Sequence, residues 1–335
     1  MMKKNKSYKP PQPSLWQGRV DDADNRDAYR WHQVIEFLNL NDKTIDNVSS
    51  GYCFLGYSCD AGVKKNKGRT GAALGPDSIR REMANLPCYF DESIHLYDAG
   101  NILCTEQNLP QSHATLARFV DTLHSLHLFP LLIGGGHDLV VGHFQGLLNE
   151  KKRQDPENQK KIGIINFDAH FDLRPYHTTG SNSGTGFLQI ADLCREKNEP
   201  FSYLCIGIQQ YGNTLSLFKK AEELNVGYIM AKDLTMDTLS KNQETVDTFI
   251  YKHDYIYLTI CSDVLSAAYA PGVSAPQPFG LHPEIVITLV KHILLSGKVL
   301  GMDIAEVSPR FDTDNRTARL AAILFFAAMN IFSKK

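Results

Sequence analysis

Eight short runs of apolar, β-branched and aromatic residues recur along the chain: YCFLGY (52–57), IHLYDAG (94–100), LFPLLIGGG (128–136), IGIINFDAH (162–170), YLCIGI (203–208), VGYIM (226–230), YIYLTIC (255–261) and VLGMDIAEV (299–307). Most are apolar at consecutive positions, so both faces of each strand must be covered. Between most of them lie polar–apolar segments of helical length: 76–85, 112–127, 138–150, 212–225, 239–250, 283–296 and 315–333. Strands of this kind alternating with helices predict an α/β fold, a mostly parallel sheet with helices on both faces.

Composition narrows the picture. A chain of 335 residues suits one large α/β domain or two ordinary ones. No repeat or low-complexity linker divides it, and KKRQDPENQKK (151–161) reads as a charged surface loop. Residues 14–335 are therefore expected to form a single domain, with residues 1–13 as a mobile tail. The formal charge of −2 gives no reason to expect nucleic acid or an anionic membrane as a partner. No apolar stretch approaches the roughly eighteen residues of a membrane span, and the basic N-terminus lacks a secretory apolar core. The seven cysteines are an odd number without regular spacing, and Cys53, Cys205 and Cys261 sit inside apolar runs. That pattern predicts free thiols in a reducing compartment, hence a cytoplasmic protein without structural disulfides.

Chemistry gathers where the predicted strands end. Gly134–Gly135–Gly136–His137–Asp138 follows the third run, Asp168–Ala169–His170–Phe171–Asp172 the fourth and Cys261–Ser262–Asp263 the seventh, while Asp303 and Glu306 close the eighth. In an open parallel sheet the ligand site lies beyond the carboxyl ends of the strands. GGGHD lacks the third glycine of G-x-G-x-x-G, where Leu139 stands, and the G-K-[ST] ending of the other phosphate loop. It reads as a turn with Asp138 as a helix cap, in which His137 is either a metal ligand or simply part of the turn. In DAHFD, alternate residues of extended chain point the same way, so Asp168, His170 and Asp172 can converge. Two close carboxylates resist joint ionisation unless a cation lies between them. A mixed Asp/His set suits Mn²⁺ or Zn²⁺ better than Ca²⁺; the bland alternative is a polar loop with a helix cap. Cys261 reads as core or ligand, and Asp263 as ligand or cap. Glu306 reads as an anchor for a cationic substrate group or as half of a salt bridge. His143 and the remaining histidines read as surface or packing residues.

Taken in order over roughly residues 50–330, GGGH, DAHFD, S-D-V-L followed by A-P-G, and D-I-A-E-V-S-P resemble the ureohydrolases, the family of arginase, agmatinase and formimidoylglutamase. Within it the chain is most similar to the formimidoylglutamase branch, through WQGR (16–19), GRTGAALGPDSIR (68–80), GHFQGL (142–147), AHFDLR (169–174), SGTGF (183–187) and RFDTDNRTARLAA (310–322). The resemblance implies an arginase-like three-layer sandwich around an eight-stranded, mostly parallel sheet, and a centre of two manganese ions at the strand ends. It also implies hydrolysis of N-formimidoyl-L-glutamate to L-glutamate and formamide in histidine degradation. By position it implies His137, Asp168 and Asp172 as ligands of the first manganese, and Asp168, His170 and Asp263 of the second, with Asp168 bridging. Glu306 would hold the amidine and Asp172 would relay a proton. Arg174 would read the substrate carboxylates, which a guanidinium fork pairs with bidentately, and Arg69 is a second candidate.

The chain departs from the family pattern twice. Ser183 stands where arginase and agmatinase carry a histidine, which points away from both. Cys261 stands where the pattern has an aspartate touching both metals. Sulfur is softer than carboxylate and offers one donor atom in place of two, so weakened or altered manganese occupancy, one ion where the family holds two, is expected. The partners the resemblance allows are a small-molecule substrate and a homo-oligomer. Two other readings fit the same residues: a hydrolase of another guanidino or ureido acid, and a catalytically weak binding protein of this fold.

Overall fold

The computed structural model describes residues 7–42, 48–105, 108–178 and 180–334. Its strands are β1 (Tyr8–Lys9), β2 (Ile35–Phe37), β3 (Gly51–Ser58), β4 (His95–Leu103), β5 (Leu128–Ile133), β6 (Ile162–Phe167), β7 (Tyr203–Ile208), β8 (Gly227–Met230), β9 (Tyr255–Cys261) and β10 (Val299–Ala305). They form one sheet in the order β1-β4-β3-β5-β10-β9-β6-β7-β8, with β2 also paired to β4. All eight strands expected from the apolar runs are present and parallel. The sheet is wider than eight strands, because β2 joins β4 in parallel and β1 joins it antiparallel.

β1 corrects the reading of residues 1–13 as a mobile tail. Tyr8 is buried, its ring stacks on Phe119 and its hydroxyl accepts the Leu40 N–H. Residues 1–6 lie outside the described residues. The segment 151–161 is likewise more than a surface loop. Its first residues continue a helix, and Lys151 is buried against Glu199 at 2.5 Å and Asn158 at 2.6 Å.

The helices are α1 (Trp31–Val34), α2 (Ala61–Lys65), α3 (Gly75–Ala84), α4 (Leu109–Ser125), α5 (Leu139–Gln154), α6 (Gly186–Lys197), α7 (Leu215–Glu223), α8 (Leu239–Tyr251), α9 (Pro283–Leu295) and α10 (Arg316–Phe332). Strand residues alternate between two cores, as the period of two requires. Phe54, Leu131, Ile133, Ile165, Leu258 and Met302 pack with α3, α8, α9 and α10. Cys53, Leu55, Leu132, Ile164, Tyr203 and Tyr257 pack with α4, α5, α6 and α7 on the other face. This is the three-layer sandwich expected. Helix α6 was not foreseen, because it opens within the glycine-containing SGTGF, where helix propensity is poor. Its buried Phe187, Ile190, Ala191 and Cys194 still follow helical spacing. No helix among the described residues is long and apolar enough to cross a membrane.

The chain winds outward through β3 and β4 on one side and through β6, β7 and β8 on the other. β9 and β10 then return to fill the gap between β5 and β6. The central neighbours β5, β10, β9 and β6 are thus the four strands whose ends carry the polar segments. Their carboxyl edge is the crevice in which open α/β sheets hold ligands.

Candidate metal centre

The glycine run after β5 is shaped by packing. A Cβ on Gly135 would lie 2.0 Å from the Cys59 carbonyl oxygen and 2.6 Å from that of Tyr57, so no side chain fits. The Gly136 N–H donates to Cys59 O at 2.7 Å, Gly134 N–H to Ile304 O at 2.7 Å and Glu306 N–H to Gly135 O at 2.8 Å. These bonds wedge the loop between β3 and β10 and aim His137 into the crevice. Asp138 makes no side-chain cap to α5. Its carboxylate accepts from Tyr57 Oη at 2.9 Å and lies 3.0 Å from His113 Nε2, beneath the loop.

Six of the residues singled out in the sequence meet at this edge. His137 Nδ1 lies 3.0 Å from Asp168 Oδ2 and 3.2 Å from Asp172 Oδ2. His170 Nδ1 lies 3.4 Å from Asp168 Oδ1 and 3.2 Å from Asp263 Oδ2. The ligand atoms of His137, Asp168 and Cys261 fall within 4.8 Å of one another, as do those of Asp168, His170 and Asp263. Asp168 belongs to both groups. Glu306 stands beside them, its Oε1 accepting the His137 backbone N–H at 2.8 Å.

Behind the cluster is a buried network that the sequence reading missed. His137 Nε2 lies 3.0 Å from Thr259 Oγ1, and that hydroxyl donates to Asp303 Oδ1 at 2.5 Å. Asp303 Oδ2 also meets Tyr257 Oη at 2.5 Å and His143 Nδ1 at 2.6 Å. Since the Thr259 proton goes to Asp303, its oxygen accepts from His137 Nε2–H. Nδ1 is then the nitrogen turned toward the carboxylates. The available signal was a threonine and an aspartate interrupting apolar strands.

Two backbone positions are strained. Asp172 and Glu306 adopt φ of +48° and +66°, a left-handed conformation that costs a non-glycine residue about 1–2 kcal/mol. Such residues cluster at functional sites, where their surroundings hold them.

The electrostatics call for a cation. Burial raises Asp172 to about 6 with the help of the Asp168 charge. Burial likewise raises Glu306 to about 8, with Asp263 adding to it against the His137 N–H. Asp263 goes up by burial and by Asp168, and the Cys261 thiol goes well up for the same two reasons first. Burial opposes charge on His137 and His170, yet the surrounding carboxylates outweigh it and hold both imidazoles well above their usual range. Burial would also raise Asp168, but its bonds to these two rings keep it low. Protons thus stand in for positive charge. Asp263 Oδ1 and Glu306 Oε2 are buried without any hydrogen-bond partner, as expected of acceptors that serve a cation or substrate. The donor set of oxygen and imidazole fits a divalent transition metal; only the Cys261 sulfur departs from a hard-metal site.

A cavity of about 320 Å³ opens over the cluster, with Arg69, Arg174, Ser183 and Asn213 on its walls. Arg69 is held by donating to Val273 O at 2.6 Å and Ser274 O at 3.0 Å, with its guanidinium 4.1 Å over the Phe311 ring. Arg174 is exposed, and among the described residues no carboxylate pairs with it. Ser183 Oγ accepts from Asn66 Nδ2 at 3.2 Å. A second hollow of about 380 Å³, at the amino ends of the strands near Ser50, His127 and Leu294, has no acidic residue in its lining.

Fold and donor set together define an α/β protein of the arginase type, with a candidate metal site at the central crevice. The chain belongs to the arginase family, whose pattern matches residues 50–330. It is 47% identical over 330 residues to the formimidoylglutamase of Clostridium tetani, a match covering 98% of this chain and 97% of that one. It is 39% identical to the formimidoylglutamase of a Geobacillus species, covering 98% of each. The crystal structure of Bacillus subtilis formimidoylglutamase superposes with a TM-score of 0.77 at 23% identity, covering 95% of this chain and 96% of that one. Trypanosoma cruzi formiminoglutamase, solved with Mn²⁺, gives 0.73 at 23% identity, covering 85% and 94%.

Proposed function

We propose that this chain hydrolyses N-formimidoyl-L-glutamate to L-glutamate and formamide, using manganese held by His137, Asp168, Asp172, His170, Asp263 and Cys261. The observation that carries the reading is the pair of overlapping donor groups that share Asp168, in a chain 47% identical to a formimidoylglutamase over nearly its full length. The free thiols of all seven cysteines support a reducing, cytoplasmic setting.

When bound, divalent manganese supplies a Lewis acid that makes water acidic enough to act as a nucleophile near neutral pH. The chain's own residues do the rest. Glu306 Oε2, without a protein partner, receives the cationic formimidoyl group and orients its carbon toward the attacking water. Asp172, 3.2 Å from His137 Nδ1 in the same donor cluster, takes a proton from that water and delivers it to the departing glutamate nitrogen. A water and an amidinium thereby become formamide and an ammonium, with charge conserved. Arg174 at the rim and Arg69 on the wall fix the glutamate carboxylates, which lowers the entropic barrier. Cys261 weakens the hold on hard Mn²⁺, so this chain carries less manganese than a carboxylate at that position would allow.

The test is glutamate release from N-formimidoyl-L-glutamate by manganese-loaded protein and by its Cys261→Asp variant, with arginine, agmatine and 4-guanidinobutyrate as competitors. Cleavage of a guanidino compound in preference, or no cleavage by either protein, overturns the substrate assignment.

A further inference from the structure

Two cysteines outside the metal cluster lie behind the loop that carries His137. Cys59 follows β3 and Cys104 follows β4. The parallel ladder between these strands runs Gly56↔Asn101, Tyr57↔Ile102, Ser58↔Leu103, and Cys59 and Cys104 are the residues that directly follow its last pair. Neighbouring strands are about 4.8 Å apart, within the roughly 4.4–6.8 Å between Cα atoms that a disulfide spans. Both side chains lie on the same face of the sheet, Cys59 within the core under α4 and α5 and Cys104 packed against it. Cys59 is buried and Cys104 is half-buried, so Cys104 is the more accessible of the two.

Cys104 differs in acidity from the other thiols, whereas Cys59 is pushed up as they are. The Cys59 thiol draws Cys104 down to about 7; burial opposes this, and the Ser112 hydroxyl and His113 add to it. Cys53, Cys88, Cys194, Cys205 and Cys261 are all pushed up, by burial first. Reactive thiols are acidic and accessible, and buried neutral ones are inert.

We propose that Cys59 and Cys104 are a reversible, hydroperoxide-sensitive disulfide site coupled to the loop that presents His137. The Cys104 thiolate attacks one oxygen of hydrogen peroxide and breaks the O–O bond, giving a sulfenic acid and water once the leaving oxygen takes a proton. The Cys59 thiol then attacks that sulfur, loses its proton and expels the second water as the S–S bond forms. The two thiols lose two electrons and the peroxide gains them. The coupling is direct. Gly136 N–H donates to Cys59 O, and Gly135 packs so closely on that oxygen that a methyl group would collide with it. A shift of the Cys59 backbone therefore reaches the residue before His137.

The experiment treats full-length protein with hydrogen peroxide, blocks the remaining thiols and maps unreduced peptides by mass spectrometry. The expected product is a Cys59–Cys104 linked peptide that dithiothreitol cleaves. Hydrogen exchange in the segment 134–138 is expected to be about tenfold faster in the oxidised protein. In the Cys104→Ser variant, which retains Cys261, peroxide should produce neither change. A different linked pair, or Cys104 carried to sulfinic acid without a link, overturns the site. A Cys59–Cys104 link that leaves exchange at 134–138 unaltered overturns the coupling. Neither readout depends on the substrate assigned to the chain.

Discussion

Replacing Glu306 by glutamine should stabilise the metal-free protein, and increasingly so as pH rises. Burial pushes this carboxyl from its usual 4.5 up to about 8. Below pH 4.5 it is neutral in folded and unfolded chains alike, and its titration costs nothing. Between 4.5 and 8 the unfolded chain has released the proton and the folded one still holds it, so each pH unit weakens the fold by up to about 1.4 kcal/mol. Above 8 the penalty is complete, at about 4–5 kcal/mol. Glutamine keeps the shape and an oxygen for the His137 N–H, and it carries no charge at any pH. For a chain of this size the difference corresponds to roughly 5–10 °C in the unfolding midpoint. The assay is thermal unfolding of chelator-treated wild type and Glu306→Gln from pH 5 to 8.5. The midpoints should nearly coincide at pH 5 and separate steadily above it. A gap that stays constant with pH, or a variant less stable at pH 8.5, would refute the argument. With manganese and substrate present the same variant should lose activity by about a hundredfold or more, because the group that receives the cationic amidine is gone.

Thr259→Val removes the acceptor for His137 Nε2–H and the donor to Asp303. Metal affinity measured by calorimetric titration should fall about 10- to 100-fold, while Thr259→Ser restores it. Arg174→Ala should raise KM for formimidoylglutamate by about 10- to 100-fold with a smaller change in kcat, as expected for a lost charge-assisted bond to substrate. Arg80 holds Asp98 through Nε at 2.9 Å and Nη2 at 2.8 Å, fully buried. Arg80→Ala leaves that carboxylate without its counter-charge, held only by Trp16 Nε1–H and the Gly100 N–H, and should cost about 3–5 kcal/mol in urea unfolding.

The parts of the molecule legible in the sequence are those with a local signature. Consecutive apolar residues marked the eight long strands, and residues alternating along DAHFD marked a convergent donor set. β1 and β2 escaped because two or three residues carry no period, and Tyr8 is held by partners as distant as Phe119 and Leu40. Asp138 was read as a cap because it precedes a helix; its true partners, Tyr57 and His113, come from other elements. Asp303 sat in view at the end of an apolar strand. Its place behind His137, reached through Thr259, depends on β9 and β10 being neighbours, which no local pattern states. The RFDTDNRTARLAA segment carries part of the likeness to relatives and proves to be architectural. Asp312 accepts the Thr317 and Ala318 N–H groups at 3.0 and 3.1 Å and so starts α10. Thr317 Oγ1 in turn takes the Gly272 N–H at 2.8 Å, tying down the loop that supports Ser308.

Cys261 has a consequence for folding as well as for metal choice. Asp168, Asp172, Asp263 and Glu306 already crowd one buried site, and burial raises all of them but Asp168. The Cys261 thiol is also held protonated by burial and by those same neighbours, so in the metal-free protein it adds no charge. An aspartate would add one more carboxylate without a counter-charge, and the fold would bear the cost of either burying that charge or retaining another proton. A cation that binds only the folded chain reverses the balance, stabilising it by about 2.7 kcal/mol at a hundredfold excess over the dissociation constant. Cys261→Asp should therefore unfold at lower temperature than wild type after chelation and at higher temperature in saturating Mn²⁺, with more manganese retained through dialysis. Parallel shifts in the two conditions would show that residue 261 acts through packing alone and does not face the metal.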